Sequence, residues 1–470
     1  MSRIAIACAL CLLLAGCAAP TAQQTTVASE TSGATGTTDA DSAATDSTGS
    51  ENESAVSDRD IPVSGGSLPV AHEEIFARTT DLLGTDVAPP TVLIVKSAAE
   101  IRNDTGGPPN AGSGSSARSF AGVMGIGGDG GSGGSDDDSD DETTDDGSGD
   151  ESDGGSDRGV SVAAYAPSAR SVIVNERVAT AADERALERT LAHEFVHTVQ
   201  FRQRAFARLQ RALDVDGTPT RDTYLTYASV VEGAAAFVGD AYDRRYLAGD
   251  WASITTTERY RSAPPRVKYS IARYYFGSRY LSHRFDSPRN LSAVYDAPPR
   301  TTEQILHNDT DRSETPRSLA LSVEPGENRT RGRSDTYGEL FTRIAVGTEL
   351  NRTRAADAAA GWGTDRLVRV TDEDGTRSYV WATRWDSPSE ADEFEMALTT
   401  YLDARANESA NRSAADSPTT WRDGELTFRT VRTSEESVVL LAGTESFVRS
   451  ASVSGTNESV SVAAGEGAHD

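Results

Sequence analysis

Apolar residues recur along this chain in a few patterns, and each pattern predicts an element. Helical spacing marks residues 72–83, 183–209, 224–247 and 271–281. The unbroken run Thr91-Val-Leu-Ile-Val95, placed after Pro89-Pro90, predicts a buried strand. Residues 160–165 and Ser171–Asn175 predict a pair of strands joined by a short turn. Past His307 the composition shifts to Thr, Arg and Glu before a helix predicted over 337–360. Arms at 367–370 and 379–383 flank Asp374-Gly375, a hairpin signal; a helix over 389–404 and strands over 426–431 and 437–441 follow. The expected class is α+β. A first domain spans residues 63–310, a C-terminal α+β module spans 311–450, and 451–470 reads as a flexible tail.

Two stretches show no periodicity. Residues 17–62 are Ala, Thr, Ser, Gly and acids with hardly an aromatic, which describes a disordered stalk. Residues 106–159 read as a disordered acidic insert in the first domain. Within it, residues 129–157 carry 13 acids and no base. Asp and Gly suit calcium in type, but the run lacks a regular ligand repeat and reads as a solvated loop.

The whole chain of 470 residues carries 45 Lys+Arg against 72 Asp+Glu, a formal charge of −27. The acidic run accounts for about half of that, so the bias is chain-wide. Only Lys96 and Lys268 are lysines; the other bases are arginines. This composition resembles that of proteins from salt-loving archaea, in which a hydrated carboxylate surface resists salting out. Such a charge excludes nucleic acid and anionic lipid as charge-driven partners.

All three cysteines, Cys8, Cys11 and Cys17, fall at the start of the chain. Arg3, an apolar run over residues 4–14 and then Ala15-Gly16-Cys17 describe a secretory signal over residues 1–16. Leu14-Ala15-Gly16-Cys17 resembles a lipobox, which implies lipidation at Cys17. The expectation is an exported protein held on the outer face of the cell membrane by a lipid anchor only. A mature chain with at most one cysteine, at its first residue, excludes disulfides and cysteine metal ligands. Nine asparagines lie in Asn-x-Ser/Thr and are glycosylation candidates: Asn52, Asn103, Asn290, Asn308, Asn328, Asn351, Asn407, Asn411 and Asn457.

The chemistry-bearing segment is Leu191-Ala-His193-Glu194-Phe-Val-His197-Thr-Val-Gln200. Two histidines four apart on a helix share a face and can share one metal ion. Glu194, one position along, can reach a water on that metal without being a ligand. Leu187, Leu191, Phe195, Val196 and Val199 make the helix a buried one, so its polar groups need partners. The strongest candidate for a third ligand is Glu232 in Val230-Val-Glu232-Gly-Ala-Ala-Ala-Phe237, a carboxylate enclosed by small and apolar residues. Asp222 and Asp240 are the alternatives. Gly233 to Ala236 are small enough for close approach to the histidine helix. Tyr274, Tyr275, His283 and His307 are candidate donors to an oxyanion. Ser171–Asn175 is a candidate edge strand for an extended peptide.

The His-Glu-x-x-His segment with its downstream Glu232-Gly233-Ala234 resembles the gluzincin group of zinc metallopeptidases, and more closely uncharacterised haloarchaeal surface lipoproteins. The metzincin extension is absent, since Gln200 and Gln203 stand where it requires Gly and His. The resemblance covers about residues 68–307. It implies a zincin-like domain, a small sheet packed on an active-site helix and a glutamate helix, with Zn2+ held by His193, His197 and Glu232. It implies a peptide or protein substrate, hydrolysed by Glu194-assisted attack of a zinc-activated water. The alternatives are a non-proteolytic surface or adhesion lipoprotein that keeps the zinc, and a zinc enzyme acting on a non-peptide substrate.

Overall fold

The computed structural model describes residues 60–105, 118–127, 162–181, 183–215, 217–247, 249, 251–406 and 420–465. The signal segment, Cys17, Asn52, Asn407, Asn411 and most of the acidic insert lie outside these residues.

The first sheet contains β1 (Val63–Ser64), β2 (Val92–Lys96), β3 (Ala164–Ser168) and β4 (Ser171–Asn175), in the order β1-β2-β4-β3. β1, β2 and β4 run parallel; β3 pairs antiparallel with β4 and forms an edge. The expectation that Ser171–Asn175 is an edge strand is therefore corrected. Its second side is taken by β2, and among the described residues the edges of this sheet are β1 and β3.

The helices of this half are α1 (His72–Leu83), α2 (Ala98–Asp104), α3 (Phe120–Val123), α4 (Glu176–Ala179), α5 (Glu184–Arg202), α6 (Ala205–Ala212), α7 (Arg221–Tyr246), α8 (Trp251–Ser262), α9 (Pro265–Arg284) and α10 (Thr302–Leu306). A 3-10 turn over Pro288–Tyr295 separates α9 from α10. α5 starts where the Asp183 side chain accepts the Ala186 N–H, a cap that satisfies one orphan donor of the first turn. The helix expected over 183–209 is two helices, because Arg204 adopts φ 55°, a left-handed conformation that ends the helical path.

α5 and α7 run antiparallel, pinned at both ends. Arg189 Nε donates to Asp243 at 2.6 Å, and Gln200 Nε2 donates to the Val231 carbonyl at 3.0 Å. α7 also crosses α9 at a glycine pair: a Cβ built on Gly277 would lie 2.0 Å from the Ser229 carbonyl oxygen and 2.9 Å from the Gly233 Cα. Gly233 thus serves the α7–α9 contact, which corrects the expectation that it admits the histidine helix.

The C-terminal half holds β5 (Ala320–Glu324), β6 (Arg329–Asp335), α11 (Gly338–Val346), α12 (Arg352–Asp357), β7 (Trp362–Asp372), β8 (Arg377–Trp385), α13 (Pro388–Arg405), β9 (Thr420–Asp423), β10 (Leu426–Arg432), β11 (Ser437–Gly443), α14 (Glu445–Ser450), β12 (Ala451–Gly455) and β13 (Ser459–Ala464). Strands β6-β7-β8-β11-β10-β9 form one sheet, and β12-β13-β5 a smaller one. The β7–β8 hairpin forms as its Asp-Gly signal predicts, with Gly375 at φ 83°. The helix expected over 337–360 divides in two, and Asn351 caps the second part by accepting from the Thr353 and Arg354 N–H groups.

Strand alternation gives the six-stranded sheet two buried faces. Leu367, Tyr379, Trp381, Phe428, Val438 and Leu440 join the main core, while Val368, Val370, Val380, Val439 and Leu441 join a smaller core with Phe447, Val460 and Val462. The main core is continuous across the expected boundary at 310, running from Ile61 through Phe195 and Tyr227 to Trp381 and Phe428. Three expectations are corrected on this account. The segment 451–470 is not a tail through residue 464, because β12 and β13 are needed to cover the second face. The stalk ends before residue 62, since Ile61 is buried. Within the insert, α3 places Phe120 against Tyr337, Phe341, Tyr379 and Trp381, which joins that segment to the C-terminal sheet.

Candidate metal centre

α5 and α7 bring His193, His197 and Glu232 together. His193 Nε2 and His197 Nε2 lie 3.2 Å apart, and each lies 3.4 Å from Glu232 Oε2. A tetrahedral ion with bonds of about 2.0–2.1 Å holds its ligand atoms about 3.3–3.4 Å from one another. The three atoms therefore have the spacing of one face of such a coordination sphere. The Glu232 carboxylate is fully buried, and neither of its oxygens has a hydrogen-bond donor among the described residues. A buried carboxylate in that state is costly unless a cation faces it. The two-nitrogen, one-oxygen donor set and the orphaned carboxylate both fit a metal ion.

The tautomer of His197 is set from behind. Gln200 Nε2 donates to the Val231 carbonyl at 3.0 Å and to the Tyr295 hydroxyl at 3.1 Å. A carbonyl only accepts, so the amide nitrogen must face Val231 and the amide oxygen must face His197. His197 Nδ1 then donates to Gln200 Oε1 at 2.8 Å, so Nε2 is the ring nitrogen that faces His193 and Glu232. Sequence reasoning missed this role for Gln200 and Tyr295. The spacing of Gln200, three residues past His197 on the same helix, was the available signal.

Charge is balanced tightly within the cluster. Burial opposes a charge on His197, but Glu232, Glu194 and Gln200 together outweigh it and push the pKa up to about 9. Burial likewise opposes the charge on Glu232, and His197, His193 and Arg273 overcome it, holding this carboxyl well below the usual carboxylate range. Arg273, on α9, was not singled out from the sequence. Glu194 is fully buried on the same helix as the histidines.

The other candidates separate. The Tyr274 ring centroid lies 6.0 Å from that of His193. Tyr275, one residue on, stacks on Tyr260 with centroids 4.4 Å apart, and it lines a cavity of about 160 Å³ together with Arg279, Ile305 and Arg343. His307 donates to Glu339 at 3.0 Å, and His283 is exposed in the last turn of α9. Asp222 accepts from the Thr302 N–H at 3.0 Å and from its hydroxyl at 2.6 Å, so it ties α7 to α10. Asp240 accepts from Ser278 at 3.1 Å across the α7–α9 contact. Among the rivals, neither aspartate joins the histidines, and Tyr275 and His307 are engaged elsewhere. Of the described sequons, Asn103, Asn290, Asn328 and Asn351 are exposed, and Asn308 and Asn457 are half-buried.

Residues 328–451 match a family described as a domain of unknown function (DUF8575). The match runs from β6 to α14, about a quarter of the chain, and contains none of His193, Glu194, His197 or Glu232. No curated protein and no solved structure matches the chain.

Proposed function

We propose that this protein is a zinc-dependent metallopeptidase with a zincin-like fold over its first half, exported and anchored at the cell surface through Cys17. The observation that carries the reading is the convergence of His193 Nε2, His197 Nε2 and Glu232 Oε2 at 3.2–3.4 Å beside a buried Glu194. Imidazole and carboxylate ligands in tetrahedral spacing suit zinc. Bound there, zinc would lower the pKa of a water to roughly 7 and polarise a substrate carbonyl.

The chain's own residues supply the rest. Glu194 takes the proton of the attacking water and passes it to the leaving amine. Tyr274, beside His193, donates a hydrogen bond to the oxyanion that develops on the carbonyl. The free edge of β3 packs on α5 and offers backbone groups to an extended peptide. Among the described residues no helix is long and apolar enough to cross a membrane.

The test uses the mature chain purified in high salt, with zinc content and casein cleavage measured for wild type, Glu194→Gln and His193→Ala. The expected result is one zinc per chain in wild type and Glu194→Gln, cleavage by wild type only, and loss of zinc in His193→Ala. Stoichiometric zinc with equal, negligible cleavage by wild type and Glu194→Gln would leave the non-proteolytic surface protein as the reading. Normal zinc in His193→Ala would remove the site assignment itself.

A further inference from the structure

Four carboxylates are buried where α7, α10, α11 and β7 meet: Asp222, Glu303, Glu339 and Asp365. Buried polar groups ordinarily have hydrogen-bond partners. Three of the four follow that rule. Asp222 accepts twice from Thr302, Glu339 accepts from His307, and Asp365 accepts from the Tyr337 and Gly338 N–H groups and from the Trp362 indole. Glu303 is only 4% exposed; its backbone carbonyl accepts from the His307 N–H, but its carboxylate makes no hydrogen bond or ion pair with a donor among the described residues.

Its carboxylate is directed at two further acids instead. One oxygen each from Glu303, Glu314 and Asp386 lie within 4.8 Å of one another. The chain around them is held in place. Asp309 accepts the Glu314 N–H at 2.9 Å, and Gln304 Nε2 donates to the Glu314 carbonyl at 2.6 Å. Arg317 Nε donates to Asp386 at 2.9 Å. That leaves three acids beside one paired arginine, with the innermost acid desolvated. Burial and the neighbouring acids push the Glu303 carboxyl up to about 9, so in the absence of a cation it holds a proton that an entering cation would displace.

We propose that Glu303, Glu314 and Asp386 form a second metal site, which takes a hard divalent cation such as calcium. All three donors are carboxylate oxygens, the ligands of calcium and magnesium rather than of zinc. Glu314 is exposed, so water can complete the coordination. The ion would join α10 and the segment after it to the corner between β8 and α13, pinning the helical half to the six-stranded sheet. The site is independent of His193, His197 and Glu232.

The test uses the mature, zinc-loaded chain in high KCl. Terbium luminescence, sensitised by Trp385 next to Asp386, reads ion binding; calcium displacement of terbium and calcium-dependent melting complete the measurement. The acidic run over 129–157 adds weak binding, so the readout is the difference between wild type and Glu303→Gln, Glu314→Gln and Asp386→Asn. Wild type is expected to give luminescence that calcium quenches, and to melt higher with calcium at about 1 mM, the weak end of protein calcium sites. Glu303→Gln is expected to lose the calcium-dependent rise in Tm and to melt no lower than wild type without calcium. The two rim variants are expected to weaken binding at least tenfold. Equal calcium responses in wild type and all three variants would overturn the proposal, as would a wild type that calcium leaves unchanged.

Discussion

Gln200 Oε1 accepts the Nδ1 proton of His197 at 2.8 Å, and this bond decides which ring nitrogen of His197 faces His193 and Glu232. The amide cannot be turned round, because its nitrogen is committed to the Val231 carbonyl and the Tyr295 hydroxyl. Removing Gln200 leaves His197 in place but releases its tautomer and its orientation.

Gln200→Ala is therefore expected to weaken zinc binding by about 10–100-fold, the usual cost of losing a group that orients a ligand histidine. Competition against a chromogenic chelator measures it. Unchanged affinity would mean that the histidine is oriented by its packing alone.

Glu232 is the acid that the fold delivers to the histidines. Glu232→Gln is expected to abolish stoichiometric zinc, while Asp222→Asn and Asp240→Asn keep it. Zinc content by elemental analysis distinguishes the three. Retention by Glu232→Gln would move the third ligand elsewhere.

Tyr274 lies beside His193 and Tyr275 does not. In the peptidase reading, Tyr274→Phe lowers kcat by about 10²–10³, the range for one oxyanion donor, with KM and zinc content little changed. Tyr275→Phe should leave kcat within about twofold. Equal effects from both would point to packing rather than chemistry.

The α7–α9 crossing tolerates no side chain at Gly277, where a Cβ would meet the Ser229 carbonyl at 2.0 Å. Gly277→Ala is expected to destabilise the protein by about 1–3 kcal/mol or more through forced separation of the helices. Chemical denaturation measures this. Gly239→Ala is the control, since a Cβ there meets nothing within 4 Å.

Burial raises the Asp222 carboxyl from its ordinary 3.8 to about 7, with Asp365 and Glu339 adding to the shift and Thr302 opposing it. A carboxyl whose folded-state pKa is raised binds its proton more tightly folded than unfolded. Its contribution is complete below about pH 4 and is lost as the pH rises through 7. Wild type should therefore lose stability relative to Asp222→Asn between pH 4 and pH 7, followed by urea unfolding at a series of pH values in constant salt. A relative gain over that range would contradict the assignment.

How much of this was legible in the chain depends on the range of the contact. Residues 72–83, Ser171–Asn175 and the Asp374-Gly375 hairpin were readable because their signals are local: period 3.6, period 2 and a turn dipeptide. Helix ends were less so. Arg204 ends α5 in a left-handed conformation that a non-glycine residue does not advertise. The C-terminal strands were not legible because short, polar-rich strands such as Ala451–Gly455 gain stability only from the face they cover, and α3 in the insert was not because four residues are too few to show a period.

The sequence by itself determined that His193 and His197 share a helix face with Glu194 beside them, since an i, i+4 spacing needs only helical geometry. Tertiary structure alone decided the rest. It placed Glu232 rather than Asp222 or Asp240 against the histidines, Tyr274 rather than Tyr275 beside His193, β3 rather than β4 at an edge of the sheet, and the Glu303 carboxylate in the interior beside Glu314 and Asp386. Each of those choices depends on how separate elements pack, as in the antiparallel register fixed by Arg189–Asp243 and Gln200–Val231. Local periodicity assigns a residue to a face, but only the neighbouring element determines what that face meets.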